Sequence, residues 1–252
     1  MSADNHFTSS NATIRLLDSQ VIDIELHPRL SAGDVLHYIA EKCDVSTSDA
    51  RFFALSFKDV LGNFHWLDAS VILCDMVDPA QPTRLHLSHQ VRFFVSSIYE
   101  LQSALTVKMY FLEVHGQLIR HELNVFEDDY IELVALMLSV YAPECPDDSL
   151  PELLVHILPS SHPPHLLRHA THDLLDRKIL DRFLQLKGAP TGNYILSFLR
   201  IAERSDSYGY RFYHVRDDAN QKCLLSIGSK GILVYQALNI TKPIYVRFPF
   251  NL

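Results

Sequence analysis

Between residues 12 and 95 the apolar positions recur mostly in steps of two. ATIRLL (12–17) and VIDIEL (21–26) alternate on either side of Asp18-Ser19-Gln20, which predicts a hairpin closed by a polar turn. The period then lengthens. Val35, Leu36, Ile39, Ala40 and Cys43 fall on one face of a helix whose start is marked by Ser31 and Asp34, because a side-chain oxygen there can cap free amides. RFFALSFKD and NFHWLD, separated by Val60-Leu61-Gly62, and a run from Arg84 to Phe94 return to the strand period.

From 96 to 205 the pattern changes to amphipathic helices over roughly 102–117, 128–141, 172–187 and 190–204. Ile131, Val134, Ala135 and Leu138 share a face in the second, as do Leu174, Leu175, Ile179, Phe183 and Leu186 in the third. Gly188 ends the third helix and Pro190 starts the fourth. TVKMYFLEV, inside the first, is rich in β-branched and aromatic residues and favours a strand by propensity alone. Its helical surroundings favour a helix. Pro143 to Pro164 contains six prolines (143, 146, 151, 159, 163, 164) and is expected to be largely loop or short turns.

The last stretch, Tyr208 to Phe250, alternates again. RFYHV, KCLLSI and GILVY read as three strands, broken by Asp217-Asp218-Ala219-Asn220 and by Gly228-Ser229-Lys230-Gly231. A third turn, Asn239 to Pro243, leads into IYVRF. Four consecutive strands make a meander, the first half of a sandwich or barrel.

Length and composition fit two or three globular modules: 252 residues, 48% hydrophobic and 21% charged, which argues against disorder over most of the chain. Residues 1–11 are polar and expected to be disordered. The longest apolar runs, such as LVALML, are too short to span a bilayer, and Met1-Ser2-Ala3-Asp4 does not open a signal peptide. Cys43, Cys74, Cys145 and Cys223 lie far apart and read as core thiols of a cytosolic protein. The net charge of −8 is uneven, since from Arg200 onward eight Lys/Arg face only four acids. A basic end on an acidic body suits an anionic membrane or an acidic peptide. Solvated strand edges held apart by charge account for it equally well.

Enzyme motifs fail on inspection. A tyrosine-phosphatase loop needs an Arg six positions after its Cys, but Asp49, Ala80, Pro151 and Ser229 stand there. The chain has no phosphate-binding glycine loop and no zinc-protease helix motif, and Gly228 to Gly231 fits a tight turn. His162, His165, His169 and His172 are spaced so that the last three could share a helix face and hold zinc. Pro163 and Pro164 break that run, and only Asp173 adds a nearby carboxylate, so no metal ligand, catalytic residue or cofactor site is assigned. Nucleic-acid binding is not expected of an acidic chain whose basic residues do not cluster.

Several of these residues carry a family resemblance. Tyr208-Gly209, Tyr213, Ser226-Ile227-Gly228, Gly231-Ile232, Tyr235 and Phe248-Pro249-Phe250 resemble the opening of the third lobe of FERM domains, with Ser226 and Phe250 in place of the usual Gly and Trp. FALSFKDVLGNFHWLD (53–68) is similar to the first FERM lobe, with Ala54 for Gly, and GAPTGNYILSFLRIAERSDSYG to the helix that closes the second. YAPECPDDS, DSLPELLVHILPSS and KGAPTGNYILSFLRIAERSDSYGYRFYHVRD look closest to the FERM-domain-containing 4A/4B scaffold branch.

The resemblance implies an α+β, three-lobed architecture: a disordered 1–11, a ubiquitin-like roll over 12–95, a helical bundle like acyl-CoA-binding protein over 96–205, and a partial PH/PTB-like β-lobe over 206–252. With about half the residues of a complete lobe from Tyr208 on, that last lobe is expected to be truncated. It should pack one face on the helices and leave the other, with a free edge at IYVRF, open to self-association. The implied function is a non-catalytic adaptor or scaffold at the cytoplasmic face of the plasma membrane, cell cortex or junctions. It would link membrane-protein tails to cytoskeleton or to cytohesin-type and polarity scaffolds, with weak phosphoinositide contact and no cofactor. The alternative is a targeting module of a longer enzyme such as a non-receptor tyrosine phosphatase. Leu61 and Asp68 stand where the radixin-like branch carries lipid-binding lysines, so no lipid-binding residue is assigned.

Overall fold

The structure, a computed structural model, describes residues 11–60, 62–77, 84–144, 149–158, 162–228, 231–236 and 244–247. Its contacts gather into two units, residues 1–93 with 101–109 and residues 94–100 with 110–252.

In the first unit the alternating runs pair as the sequence predicts. β1 (Asn11–Arg15) and β2 (Val21–Glu25) form an antiparallel hairpin with Ile14 opposite Ile22, and Ser19 takes φ 67° in the turn. Asn11 is already paired with Glu25, one residue before the expected start of the lobe. β3 (Phe53–Lys58), β4 (Phe64–Trp66) and β5 (Leu85–Val91) complete a sheet of order β2-β1-β5-β3-β4, in which β5 runs parallel to β1. α1 (Ala32–Lys42) begins in a capping box. The Ser31 hydroxyl oxygen accepts from the Asp34 amide at 3.1 Å, and the Ser31 amide donates to Asp34 Oδ2 at 2.9 Å. Val35 and Ile39 then join Ile14, Leu55, Leu73 and Leu87 in one apolar core.

A four-residue helix, α2 (Thr47–Ala50), was not legible in the hydrophobic pattern. It places Asp49, 1% exposed, so that Oδ2 accepts from the amides of Gln102 and Ser103, each at 3.1 Å. A buried carboxylate is tolerated there because charge-assisted hydrogen bonds replace its water.

The second unit holds most of the helical block. α3 (Ala104–Ile119) contains all of TVKMYFLEV, so the helical reading holds over β propensity. From this helix Phe111 meets Phe198 edge-on at 4.9 Å. α4 (Glu127–Tyr141), α6 (His172–Leu186) and α7 (Thr191–Ala202) follow the expected ranges closely. Leu175, Ile179 and Phe183 form the buried stripe of α6, whereas Leu174, expected on it, is 40% exposed. Gly188 (φ 103°) turns the chain between α6 and α7. Tyr194 fastens that turn, its hydroxyl donating to the Leu186 carbonyl at 2.6 Å and accepting from the Ala189 amide at 2.9 Å.

The proline-rich segment is a correction. It contains an eight-residue helix, α5 (Leu150–Ile157). Pro151 lies in its first turn, where the missing N–H has no intrahelical partner to lose, and no proline follows until Pro159. Counting prolines overestimated the loop because their position along the helix decides the cost.

The meander is β6 (Arg211–Arg216), β7 (Lys222–Gly228), β8 (Gly231–Gln236) and β9 (Tyr245–Arg247), an antiparallel sheet in chain order. Asn220 (φ 63°) sits in the first turn, and Gly228 pairs with Gly231 across the second. The third expected turn, 239–243, lies outside the described residues, as do residues 1–10 and Phe248-Pro249-Phe250.

Candidate interaction surfaces

The basic end does not present all its charge to solvent. Arg204 Nη2 lies 2.7 Å from Asp129 Oδ1 on α4, and Arg211 Nη2 lies 3.6 Å from Glu113 on α3. Glu113 is buried, and Arg120 Nη2 approaches the same oxygen, Oε1, at 3.9 Å, so two guanidinium groups offset its charge. Arg216 is directed to the carbonyl of Asn220 at 2.9 Å within its own turn. Summing charge along the sequence could not anticipate this, because the neutralising acids lie about 75 and 98 positions earlier in the chain.

The two faces of the meander differ. Tyr210, Leu224, Leu233 and Tyr235 form a small buried cluster with Phe212 against it. Burial, with Tyr210 and Asp206 nearby, pushes the Tyr235 phenol up to about 12. Gln117 of α3 donates to the Tyr210 carbonyl at 3.4 Å, just before the first strand of the sheet. On the opposite face Tyr213, Leu225, Ile232 and Val234 are half-buried and Ile227 is 48% exposed. Among the described residues β9 is the last strand of the sheet and pairs on one side only.

Tyr208-Gly209 has a steric explanation. Gly209 takes φ 73°, and a Cβ there would stand 2.6 Å from the Phe94 Cβ. Only glycine meets both demands without strain.

The histidine run is dispersed. His162 is buried, with Nδ1 2.8 Å from the Tyr130 hydroxyl and Nε2 2.8 Å from Asp176 Oδ1. Burial, with Asp176 adding to it, pushes the Tyr130 phenol well above its ordinary range. His165 Nε2 donates to the Val125 carbonyl at 3.1 Å. A short 3₁₀ turn at Leu166–Arg168 separates it from His172, which opens α6, so the last three histidines share no helix face. Both ring nitrogens of His162 are occupied by protein partners. Among the described residues no group of three or more His, Cys, Asp or Glu is arranged to hold a metal ion.

Next to this segment lies a cleft of about 850 Å³, lined in part by Asn124, Phe126, His165, Arg168, Arg204 and Asp206. Phe126 stands at the start of α4 with 84% of its surface exposed. The cleft holds both signs of charge, with Asp129 paired to Arg204 and Glu127 to Lys178 at 2.5 Å. Hydrophobic periodicity gave no sign of it, since it is built from helix ends and a loop.

Comparison with known proteins places these surfaces in a family context. The FERM N-terminal domain matches residues 14–79 and the FERM central domain residues 96–213. Human tyrosine-protein phosphatase non-receptor type 13 is 23% identical across 98% of this chain and 10% of its own length. Mouse tyrosine-protein phosphatase non-receptor type 4 is 24% identical across 94% of the chain and 24% of its own length. The chicken FERM, ARHGEF and pleckstrin domain-containing protein 1 is 25% identical across 88% and 20%. The chain thus spans a quarter or less of these relatives.

Among solved structures, the FERM and C-terminal domain complex of Drosophila Merlin superposes with a TM-score of 0.73 at 19% identity, covering 95% of this chain and 80% of that one. The human Myosin 7b C-terminal MyTH4-FERM domain in complex with harmonin-a PDZ3 gives 0.73 at 14% identity, covering 96% and 52%. The mixed α+β architecture is that of these domains.

Proposed function

The chain belongs to the FERM family, and from that premise we propose that it is a non-catalytic adaptor at the cytoplasmic cortex, joining membrane-protein tails to cytoskeletal or scaffold partners. The observation that carries this reading is the consecutive match of N-terminal and central FERM domains, followed by a meander with one half-exposed apolar face. We assign the lobes to 12–95, 96–205 and 206–252 and place the chain in the 4A/4B-like branch, with cytohesin-type or polarity scaffolds as the partner class. Lipid contact would be weak, because Arg204 and Arg211 are paired internally and each remaining basic group contributes about 1 kcal/mol or less near an anionic surface.

A fluorescent fusion in polarised epithelial cells tests the reading. Cortical or junctional enrichment is expected, and an even cytosolic distribution would contradict it. Co-sedimentation with phosphoinositide vesicles should be marginal and salt-sensitive. Tight binding that ignores salt would rule out the electrostatic account. Light scattering tests self-association through the β9 edge, with dimers expected and a clean monomer opposing it.

A second reading, the targeting module of a longer tyrosine phosphatase, is favoured by the phosphatases among the relatives. Sequencing the transcript past the Leu252 codon separates the two, since a phosphatase loop downstream would select the second.

A further inference from the structure

The outer face of the five-stranded sheet carries a surface that neither the family match nor the sequence pattern assigns. Its floor is small. Ala54 and Ser56 on β3 are only 3% and 2% exposed, although they alternate with the core residues Leu55 and Phe57. Ser56 lies opposite both Ser88 and Trp66, and its hydroxyl donates to Gln90 Oε1 at 2.8 Å. Larger side chains around this floor form a platform. Phe64 meets Trp66 edge-on at 5.0 Å, and the Arg92 guanidinium lies over both Trp66 (5.8 Å) and Phe93 (5.0 Å). The amides of Arg92 and Phe93 both donate to the Phe52 carbonyl, at 2.8 and 3.1 Å, which brings the Arg51-Phe52 pair alongside. Arg51 lies over the Phe52 ring at 5.0 Å.

Both guanidinium groups lie within cation–π reach of aromatic rings, an arrangement that leaves N–H donors available. Neither arginine makes an ion pair among the described residues. The carboxylate of Asp68, which is near Arg92, is engaged by the amide and hydroxyl of Ser70 at 2.9 and 2.7 Å. Phe93 is 54% exposed, and Phe52, Phe64 and Trp66 are half-buried, so apolar surface lies directly beside the donors. β4, at the rim of the platform, is an edge strand among the described residues.

We propose that this platform binds an acidic, aromatic-containing peptide segment of a partner protein, its carboxylates on Arg51 and Arg92 and its apolar side chains on Trp66 and Phe93. Charge selects this occupant over a membrane. Residues 1–93 and 101–109 carry twelve Asp/Glu against eight Lys/Arg, so a broad anionic surface meets net repulsion. A short peptide touches only the positive patch. Bidentate carboxylate recognition needs the planar donor fork of arginine, which the aromatic neighbours help to position.

The test uses a built-in probe, because Trp66 is the single tryptophan of the chain. A short tryptophan-free peptide of Asp and Glu with two Phe residues is titrated while Trp66 emission is followed. A saturable shift is expected. It should weaken roughly tenfold or more in Arg51→Glu/Arg92→Glu and also weaken in Arg51→Lys/Arg92→Lys, which keeps charge but loses the planar fork. Unchanged circular dichroism and melting temperature verify that both variants fold. No shift at millimolar peptide, an equal shift in both variants, or an equal response to the peptide with Lys for every acid would overturn the proposal. So would a Trp66 response to phosphatidylserine vesicles without one to the peptide. The titration reads Trp66 alone, so its failure leaves the adaptor reading to its own tests.

Discussion

Leu55 in the five-stranded sheet and Leu225 in the four-stranded one hold the same kind of position, an apolar residue on an inner strand paired on both sides. Leu55 is fully buried in a core of thirteen residues that includes Ile39 of α1. Leu225 is half-buried, on the face away from the buried cluster, which among the described residues is Tyr210, Leu224, Leu233 and Tyr235. Period-two alternation is as regular in one as in the other. What differs is the cover. In the first unit a helix in the same short stretch of chain closes over the sheet, while the buried cluster of the meander is built from Tyr210 and the strands themselves. Alternation therefore predicts a strand with two unlike faces, and only the partner element decides whether either face becomes core.

Truncation should expose that contrast most strongly. Leu55→Ala is expected to cost about 3 kcal/mol through lost transfer energy and a cavity, and Leu225→Ala less than about 1 kcal/mol. Hydrogen-exchange mass spectrometry reads each sheet separately, and equal losses would mean that the outer face of the meander is covered in solution.

Acid should weaken both units, each through a histidine that the fold holds neutral. Burial lowers His89 to about 4 from 6.5, and burial, with Arg120 adding to it, lowers His115 to about 4. Both are neutral when folded at neutral pH, and the unfolded chain takes up the proton first as pH falls. Stability is therefore full above about pH 6.5 and is lost progressively toward pH 4, by roughly 2–3 kcal/mol for His89. His89→Phe, beside Phe53 with which His89 stacks at 5.0 Å, should flatten the pH dependence of the first unit only. A melting curve series across that range checks it.

Gly209→Ala should cost the second unit about 2 kcal/mol, from the left-handed backbone and the Phe94 contact together. A loss in the first unit instead would show that this turn is not confined to the second. The smallest effect is expected at Arg84, paired with Asp23 at 2.5 Å on an exposed strand edge. Arg84→Ala should change stability by less than about 1 kcal/mol and lose even that in high salt.

The elements that local chemistry specifies were legible from the sequence. The Ser31/Asp34 box, the polar hairpin turn after Leu17 and the stripe of Leu175, Ile179 and Phe183 each declare themselves within a few residues. α5 was hidden because Pro151 looks like a breaker until its place in the first turn is known. The surfaces were least legible. Arg92 meets Trp66 from 26 positions away, Arg204 meets Asp129 from 75, and Asp49 anchors amides more than 50 residues later. Such contacts depend on the fold already existing, so no window along the chain contains them.

The parallel pairing of β5 with β1 has a consequence for biosynthesis. β5 lies between β1 and β3 in the sheet, yet it is the last of the five strands to leave the ribosome. Until Val91 has emerged, the β1–β2 hairpin and the β3–β4 hairpin have no strand to join them, and α1 has only half a sheet to cover. The meander has no such delay, since each of its strands pairs with the one made just before. Non-local closure is the slower event. The five-stranded sheet is thus the one with the longer wait during translation, and its unpaired β1 and β3 edges are the nascent surface that chaperones would shield.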